Sequence, residues 1–176
     1  MKFLETPLPG AFVIDLELTS DERGFFARSF CRDEFLRHNL NSEVAQCSVS
    51  FNHLKGTLRG LHYQAKPHEE TKLVRCTAGA MYDVIVDIRP ASPTFRRWFA
   101  TELTAHNHRM LYAPEGLAHG FQTLVDHTEV FYQISMPYHP ESAKGIRWDD
   151  PSFGIEWPLT QPILSERDRS YPNYVP

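Results

Sequence analysis

Apolar and polar residues alternate in short runs along this chain, and turn residues separate the runs at fairly regular intervals. The clearest run covers residues 80–89 and ends at the turn Pro90-Ala-Ser-Pro93. Because successive side chains of a strand point to opposite faces, this run has two faces: Tyr82, Val84, Val86 and Ile88 on one, and Asp83, Ile85 and Asp87 on the other. Many short strands of this kind predict an all-β sandwich or barrel.

The same alternation predicts most of the remaining elements. Further strands are predicted around residues 11–19, 24–30, 43–51, 72–77, 98–103, 109–112, 120–125 and 129–135. One short helix is predicted over residues 32–39, with Phe35 and Leu36 facing inward and Ser29 or Cys31 near its start.

The C-terminal segment from residue 137 onward is rich in proline. We expect it to wrap the barrel as loops and short turns, as an appendage and not a second domain. A chain of 176 residues is long enough to bury about 70% of the surface that its unfolded form exposes. A single domain over residues 1–176 is therefore expected.

Charge and cysteine content exclude several function classes. The formal net charge is −4, and the basic stripe that would contact the phosphates of a nucleic acid is missing. A small anionic ligand needs only a few arginines and is compatible with the sequence. Because Cys31, Cys47 and Cys76 are far apart and form no C-x-x-C pair, we expect reduced thiols in a cytoplasmic protein. The apolar runs are strand-sized, so neither secretion nor membrane spanning is expected.

Two segments place a histidine among strand-forming residues and glycines: Gly56-Thr-Leu-Arg-Gly-Leu-His62-Tyr-Gln and Pro114-Glu-Gly116-Leu-Ala-His119-Gly-Phe. This composition suits reactive groups inside a β-barrel, so the active site is predicted there. The spacings Gly56-(x5)-His62 and Pro114-x-Gly116-x-x-His119 resemble the two halves of the cupin signature. The resemblance implies a cupin-type double-stranded β-helix, or jelly-roll barrel.

The first segment departs from the metal-binding cupins. Those proteins present His-x-His, because residues i and i+2 of a strand point to the same side and can hold one ion. Here Tyr63 and Gln64 follow His62, and although His68 lies an even number of residues further on, Pro67 interrupts the strand. We therefore expect acid–base chemistry by side chains, with no catalytic metal, no cofactor, and activity that survives chelators.

Eight strings occur in one order along the chain: Asp21-Glu-Arg23-Gly-Phe-Phe26, Leu58-Arg-Gly-Leu-His-Tyr-Gln64, Lys72-Leu-Val-Arg75, Tyr82-Asp-Val-Ile-Val-Asp-Ile-Arg89, Ser92-Pro-Thr-Phe95, Pro114-Glu-Gly-Leu-Ala-His-Gly-Phe121, Gly145-Ile-Arg-Trp-Asp-Asp-Pro151 and Leu164-Ser-Glu-Arg-Asp168. Together they resemble the dTDP-4-dehydrorhamnose 3,5-epimerase family over nearly the whole chain. Any one string alone would be weak evidence, but the ordered set is specific.

The resemblance implies a nucleotide-linked 4-keto-6-deoxy sugar as substrate and inversion at C3, at C5 or at both. A ketone acidifies the hydrogens on its neighbouring carbons, so a base can remove a proton from one face and an acid can return it to the other. By resemblance His62 is the base and Asp168 orients its imidazole. Tyr132 is the proton donor, and Lys72 stabilises the enolate oxygen that develops at C4.

The strand pattern bears independently on two of these residues. Tyr132 lies on the more apolar face of its predicted strand and should point into the barrel. Lys72 shares a face with Val74 and Cys76, which would bury its ammonium unless a ligand or a carboxylate meets it. Asp83 is an alternative partner for this lysine, in a purely structural role.

The resemblance also implies a set of substrate contacts: Arg23 and Arg59 on the diphosphate, Gln46 on the nucleotide, His119 on the sugar, and Tyr138 stacked on the base. A regular strand would put Arg59 opposite His62, so both reach one ligand only if a bulge lies at Gly60. The family is dimeric with exchanged N-terminal strands, which implies a homodimer in which Arg23 and Phe26 complete the neighbour's site.

Three departures from the family pattern concern the identity of the substrate. Arg28 stands where the family usually has a glutamate after Gly-Phe-Phe, Gln46-Cys47-Ser48 stands for Gln-Asp-Asn, and Ala143 replaces a glutamate before Lys144. These positions lie among the family's substrate contacts, so Arg28 joins the predicted substrate-binding residues. We expect a weaker preference for the thymidine nucleotide than is typical of the family.

Two other functions stay open at this point, a 3,4-ketoisomerase of the same barrel type and a non-catalytic sugar-nucleotide binding module. Taken singly, histidines, tyrosines and arginines are more often structural or solvated than catalytic. The remaining histidines lie in polar or turn-like contexts and are expected at the surface: His38, His53, His68, His106, His108, His127 and His139.

Overall fold

A computed structural model describes residues 1–175, and these are built mainly of antiparallel strands. The strands are β1 (Lys2–Glu5), β2 (Phe12–Asp15), β3 (Thr19–Asp21), β4 (Gly24–Phe26), β5 (Gln46–Asn52), β6 (Leu58–Gln64), β7 (Lys72–Ala78), β8 (Ala80–Asp87), β9 (Trp98–Thr104), β10 (Met110–Ala113), β11 (Leu117–Thr123), β12 (Thr128–Ile134) and β13 (Ala143–Gly145). The helices are α1 (Arg32–Arg37) and α2 (Glu166–Ser170). The predicted all-β class is confirmed.

Two sheets form the barrel. One has six strands in the order β1-β2-β10-β7-β12-β5, and the other has five in the order β13-β6-β11-β8-β9. The strands β3 and β4 pair only with each other, as a separate hairpin. Seven of the nine neighbouring pairs in these two sheets are non-consecutive in the chain, so the sheets hold together segments that are far apart in sequence.

The main hydrophobic core fills the space between the sheets, because each strand turns every second side chain inward. The six-stranded sheet contributes Val74 and Val130, and the five-stranded sheet contributes Met81, Ile85 and Phe121. All five are almost fully buried. Burial of an apolar side chain of this size stabilises the fold by roughly 1.5–3 kcal/mol, so this core defines the barrel.

The outer faces of both sheets are covered as well. Val84 and Val86 of β8 point away from the barrel interior and pack against the C-terminal segment, including Phe153. The segment therefore wraps the barrel as predicted, and both faces of β8 are buried. On the six-stranded sheet, Phe35 of α1 packs in a cluster with Met110 of β10.

Several details of the sequence prediction are wrong. Leu36 is exposed and not inward, because adjacent positions of a helix point in different directions and Phe35 takes the inward one. The run 11–19 forms only β2 before the hairpin begins, and the run 24–30 forms only β4. The strands β1 and β13 and the helix α2 were not predicted. Within residues 1–175, no helix is long and apolar enough to cross a membrane.

The pairing of β6 with β11 contains the predicted bulge. His62 pairs with His119 and Arg59 pairs with Phe121, so β6 has one residue more than β11 over this stretch. Gly60 lies in this bulge and has φ +134°. Its Cα is so close to the backbone of Gly120 that an added Cβ would lie 2.5 Å from the Gly120 Cα. Only glycine fits this position without displacing the paired strand.

Gly60→Ala should lower the free energy of unfolding by about 2–4 kcal/mol, because the methyl group meets backbone atoms and the residue keeps a positive φ. Gly24→Ala is the matched control, since Gly24 has φ +130° but open space, with no neighbour within 4 Å, where its Cβ would lie. Urea unfolding of both variants at equal protein concentration measures the difference. Equal stabilities would show that the approach to Gly120 is not tight.

Candidate active site

The side chain of His62 projects from β6 and meets the carboxylate of Asp168 from α2. His62 Nε2 lies 2.5 Å from Asp168 Oδ1. The other carboxylate oxygen, Oδ2, accepts a hydrogen bond from the Ser165 hydroxyl at 2.9 Å. The same Ser165 oxygen caps α2 by accepting from the Asp168 backbone N–H at 3.0 Å. One short helix thus fixes both the position and the orientation of the carboxylate.

The charge of Asp168 follows from these contacts. Burial raises the pKa of Asp168, but the hydrogen bond and charge of His62, with the Ser165 hydroxyl and the charge of Arg59, outweigh burial and leave it below its ordinary value. The carboxylate is therefore ionised at neutral pH. It can hold the His62 ring in the Nε2–H tautomer and stabilise the imidazolium after proton uptake.

A second histidine–carboxylate pair lies beside the first, inside the barrel. His119 Nε2 is 2.7 Å from Asp83 Oδ1, and both side chains are almost fully buried. Burial raises the pKa of Asp83, against the opposing effects of His119 and Lys72. Asp83 Oδ2 is buried without a hydrogen-bond partner, which leaves a polar atom available to a ligand or a water molecule.

Lys72 stands at the edge of the same site, on β7. Its Nζ lies 2.9 Å from Glu70 Oε1 and donates to the backbone oxygen of His62 at 3.3 Å. The ammonium is therefore met by a carboxylate, as the strand pattern required, but that carboxylate belongs to Glu70 and not to Asp83. The side chains of Lys72 and Glu70 are only 12% and 10% exposed, so water screens this charge weakly.

Tyr132 points from β12 into the barrel, as the alternation of its strand predicted. Its ring packs on the main core and meets the His119 ring edge-on, with centroids 6.1 Å apart. Burial, reinforced by the charge of Asp83, raises the pKa of the Tyr132 hydroxyl well above its ordinary value, against the opposing charge of Arg59. The phenol is therefore protonated throughout the neutral range and can serve only as a proton donor there.

The bulge at Gly60 turns the Arg59 side chain to the same face of the sheet as His62. Its Nε donates to Asn52 Oδ1 of β5 at 2.8 Å, and its charge acts on both Tyr132 and Asp168. The bulge that Arg59 and His62 need in order to face one ligand is thus present.

A cleft of about 190 Å³ opens in front of His62. Four of the predicted residues line it, His62, Lys72, Gln46 and Tyr138. Gln46 Oε1 accepts from the Tyr138 backbone N–H at 3.2 Å, which joins these two at the rim. Of the other predicted residues of the inner group, Asp168 meets His62 from α2, Tyr132 meets His119 inside the barrel, and Arg59 acts on Tyr132 and Asp168 through its charge.

Three charged residues of the cleft were not predicted, Glu70, Lys144 and Arg167. Arg167 lies directly before Asp168 on α2, with its guanidinium 5.7 Å from the centre of the Tyr171 ring. A signal for α2 was available, since Ser165 and Asp168 have the spacing of a helix N-cap and its third residue. Glu70 lies in a loop, and no periodic pattern marks it.

Three predicted substrate contacts lie away from the cleft. Arg23 pairs with Asp21 in the β3–β4 hairpin and its side chain is 84% exposed. Phe26 of the same hairpin is 77% exposed. Arg28 pairs with Glu34 of α1 at 3.0 Å. Within one copy of the chain, these residues do not join the group around His62.

The side chains at the positions that depart from the family pattern point in different directions. On β5, Ser48 pairs with Tyr132 and lies on the same face as Gln46, whereas Cys47 lies on the opposite face; both Cys47 and Ser48 are exposed. Ala143 lines the cleft. Of these positions, Ala143 therefore borders the cleft, and Ser48 lies on the face of a strand residue that does.

Of the histidines expected at the surface, four are exposed and three are partly buried: His38, His53, His106 and His127 in the first group, and His68, His108 and His139 in the second. Two of the partly buried residues, His68 and His139, stack on each other.

Comparison with known proteins gives one consistent result. Residues 5–175 match the model of the family described as dTDP-4-dehydrorhamnose 3,5-epimerase. The enzyme of that name from Shigella flexneri is 41% identical over 181 residues, which cover 99% of this chain and 97% of the relative.

Solved structures agree. That of the dTDP-4-dehydrorhamnose 3,5-epimerase from Bacillus anthracis, with TDP and PPi bound, has a TM-score of 0.95 and 42% identity, covering 98% of this chain and 99% of that one. The Legionella pneumophila epimerase in complex with dTDP-4-keto-L-rhamnose has a TM-score of 0.92 and 37% identity, covering 98% and 92%.

Asp168→Asn should lower kcat by about 10²–10⁴-fold, because the amide cannot stabilise the His62 imidazolium and favours the wrong tautomer. Asp149→Asn is the matched control, since Asp149 is a partly exposed aspartate that pairs with Arg147. Steady-state kinetics on a 4-keto-6-deoxy sugar nucleotide, with circular dichroism to verify folding, measures the effect. An unchanged kcat in a folded Asp168→Asn protein would mean that Asp168 has only a structural role.

Proposed function

This chain belongs to the dTDP-4-dehydrorhamnose 3,5-epimerase family and is a carbohydrate epimerase of cupin fold, and we propose that it inverts both C3 and C5 of a dTDP-linked 4-keto-6-deoxy sugar. The observation that carries the proposed mechanism is the contact of His62 with an ionised carboxylate, in the cleft that also holds the Lys72 ammonium. This combination supplies a base that can remove a proton and a positive charge that can stabilise an enolate oxygen.

His62 removes the proton. Its Nε2 is engaged by Asp168, which leaves the Nδ1 lone pair to accept a proton from the carbon next to the ketone. As that C–H bond breaks, its electron pair forms a carbon–carbon double bond, and the carbonyl oxygen becomes an enolate oxygen. Asp168 stabilises the imidazolium that results.

Lys72 stabilises the enolate. Its ammonium lies in hydrogen-bonding reach of the His62 main chain, so a C4 oxygen bound in front of His62 would meet this charge. A donor that acts on a developing oxyanion in a site sheltered from water typically contributes about 10²–10³ in rate. Glu70 balances the ammonium in the free enzyme and keeps it from being buried alone.

Tyr132 returns a proton to the opposite face of the carbon. The two groups come from different walls of the barrel, since His62 belongs to the five-stranded sheet and Tyr132 to the six-stranded sheet. A planar enolate between two sheets is exposed to the base on one side and to the donor on the other. This arrangement supports inversion over simple hydrogen exchange.

The nucleotide occupies the outer part of the cleft. Lys144 and Arg167 add positive charge there, which suits a diphosphate. Gln46 and Tyr138, joined at the rim, contact the nucleotide, and Arg59 reaches the diphosphate from the barrel side. His119, held by Asp83, contacts the sugar.

A homodimer with exchanged N-terminal strands completes the site. The cleft of about 190 Å³ is smaller than the roughly 300–1,000 Å³ of usual ligand pockets, and Arg23 and Phe26 project into solvent from the β3–β4 hairpin. A partner's hairpin would supply both the missing wall and another cation. We further propose that residues 1–176 form one domain and that the enzyme works in the cytoplasm, where its free thiols Cys31, Cys47 and Cys76 stay reduced.

Incubation of the enzyme in heavy water with dTDP-4-dehydro-6-deoxyglucose should introduce deuterium at C3 and C5. His62→Asn should abolish this exchange, because no base remains. Tyr132→Phe should retain exchange but suppress inversion, because only the opposite face loses its donor. Mass spectrometry and NMR of the recovered sugar distinguish the two effects.

Other outcomes of that experiment have definite meanings. A displaced carbonyl would indicate a 3,4-ketoisomerase, and a bound substrate without exchange would indicate a binding module. Near-normal turnover by His62→Asn would move the base elsewhere, with His119 as the second choice.

Reduced selectivity for thymidine stays a prediction, resting now on Ser48 and Ala143. The variant Ser48→Asn/Ala143→Glu restores the family's residues at the two ligand-facing positions. It should raise the preference for the dTDP-linked sugar over its uridine, cytidine and guanosine counterparts by roughly ten- to hundredfold for each polar contact that is regained. Values of kcat/KM for the four substrates measure it.

Cys47→Asp is the control for this comparison, since Cys47 points away from the site and should leave selectivity unchanged. A wild-type enzyme that already discriminates strongly for thymidine, with no gain in the double variant, would contradict the prediction.

A further inference from the structure

Two loops beside the cleft bring together three side chains that the epimerase mechanism does not use. His68 lies in the loop between β6 and β7, and His139 and Glu141 lie in the loop between β12 and β13. The two imidazole rings are stacked with centroids 3.5 Å apart and an angle of 4° between their planes. The Nδ1 atoms of both rings lie near the same carboxylate oxygen of Glu141, and the Nδ1 of His68 is hydrogen-bonded to the Ser142 hydroxyl.

We propose that His68, His139 and Glu141 bind one Zn²⁺ ion, at a site separate from the catalytic histidines. Glu141 Oε1 lies 3.1 Å from His139 Nδ1 and 3.8 Å from His68 Nδ1, and the three ligand atoms lie within 4.8 Å of one another. In a tetrahedral zinc site with bonds of about 2.0–2.2 Å, neighbouring ligand atoms are roughly 3.3–3.5 Å apart. The distances from Glu141 Oε1 to the two imidazole nitrogens therefore lie on either side of the required spacing, and a small movement would bring the three atoms around one ion.

The stacked arrangement needs one small adjustment. The lone pair of an imidazole nitrogen lies in the plane of its ring, so two parallel rings cannot both aim at one ion. A rotation of either ring about its Cβ–Cγ bond resolves this, and that torsion has a broad energy minimum. The Ser142 hydroxyl, 2.9 Å from His68 Nδ1, is released or becomes a further ligand.

The backbone of both loops is already held in place for binding. Gln64, almost fully buried, donates to the backbone oxygens of His68 at 3.0 Å and Pro137 at 3.2 Å, and accepts from the His139 N–H at 2.6 Å. These hydrogen bonds restrict the two loops before any ion binds, which lowers the entropy cost of bringing the ligands together. An ion would add a second link between the loops, next to Tyr138 at the rim of the cleft.

The donor set selects the kind of metal. Two imidazoles and one carboxylate suit Zn²⁺ and its neighbours, whereas Mg²⁺ and Ca²⁺ prefer oxygen ligands throughout. Three protein ligands at a partly exposed site leave the fourth coordination position of the ion for a water molecule or for Ser142. Within residues 1–175 this is the one group of three such ligands with suitable spacing, and it includes neither His62 nor His119.

Calorimetric titration of metal-free enzyme with zinc chloride tests the site without reference to catalysis. One ion per chain should bind, and a magnesium titration should show no binding. The variant His68→Ala/His139→Ala, and Glu141→Gln separately, should weaken zinc binding at least about tenfold. His106→Ala, an exposed histidine outside the cluster, should bind zinc like the wild type.

A thermal measurement keeps the test decisive if a variant folds poorly. Zinc should raise the Tm of the wild-type enzyme and of His106→Ala, but not that of the double variant. Absence of saturable one-to-one binding to the wild type would overturn the proposal. So would unchanged affinity in the double variant, which would move the ion to another group.

Discussion

The pairing of β6 with β11 is the contact on which the rest of the site depends. It sets His62 and His119 side by side, and the extra residue at Gly60 turns Arg59 to the same side as His62. Without that bulge, the period of two in a strand would send the arginine out of the site. Gly60, which lies against the backbone of Gly120, therefore allows the guanidinium of Arg59 to face the same side as His62.

The two carboxylates that meet the histidines of the site are shifted in opposite directions by their surroundings. Asp168 belongs to α2 at the barrel surface, where hydrogen bonds from His62 and Ser165 outweigh the effect of burial and hold it ionised. Asp83 lies deep between the sheets, where burial outweighs the opposing effects of His119 and Lys72 and raises its pKa. In the proposed function the two histidine–aspartate pairs therefore have different roles, one in proton abstraction and the other in binding the sugar.

Alternation along single strands made much of this predictable. It gave the two faces of β8 and the inward direction of Tyr132, because each depends only on residues within a few positions. Combined with the family resemblance, which puts Arg59 and His62 on one ligand, it also showed that a bulge was needed at Gly60. The same rule, counted from Gln46, would have turned Cys47 outward. Alternation says nothing about residues outside the strands, so it could not show that Glu70 meets Lys72 from the loop before β7. The error at Leu36 has a different origin, because helical periodicity places Leu36 and Phe35 on different faces of α1.

The carboxylate of Asp168 reaches His62 across 106 positions of the chain. Every barrel strand precedes α2 in the sequence, and a protein leaves the ribosome from its N-terminal end. The strands that come first in the chain can therefore begin to pair before the helix that carries Asp168 has been synthesised. In the proposed mechanism, a barrel that has formed without α2 holds His62 but lacks the carboxylate that orients it, so proton abstraction waits for the docking of that helix.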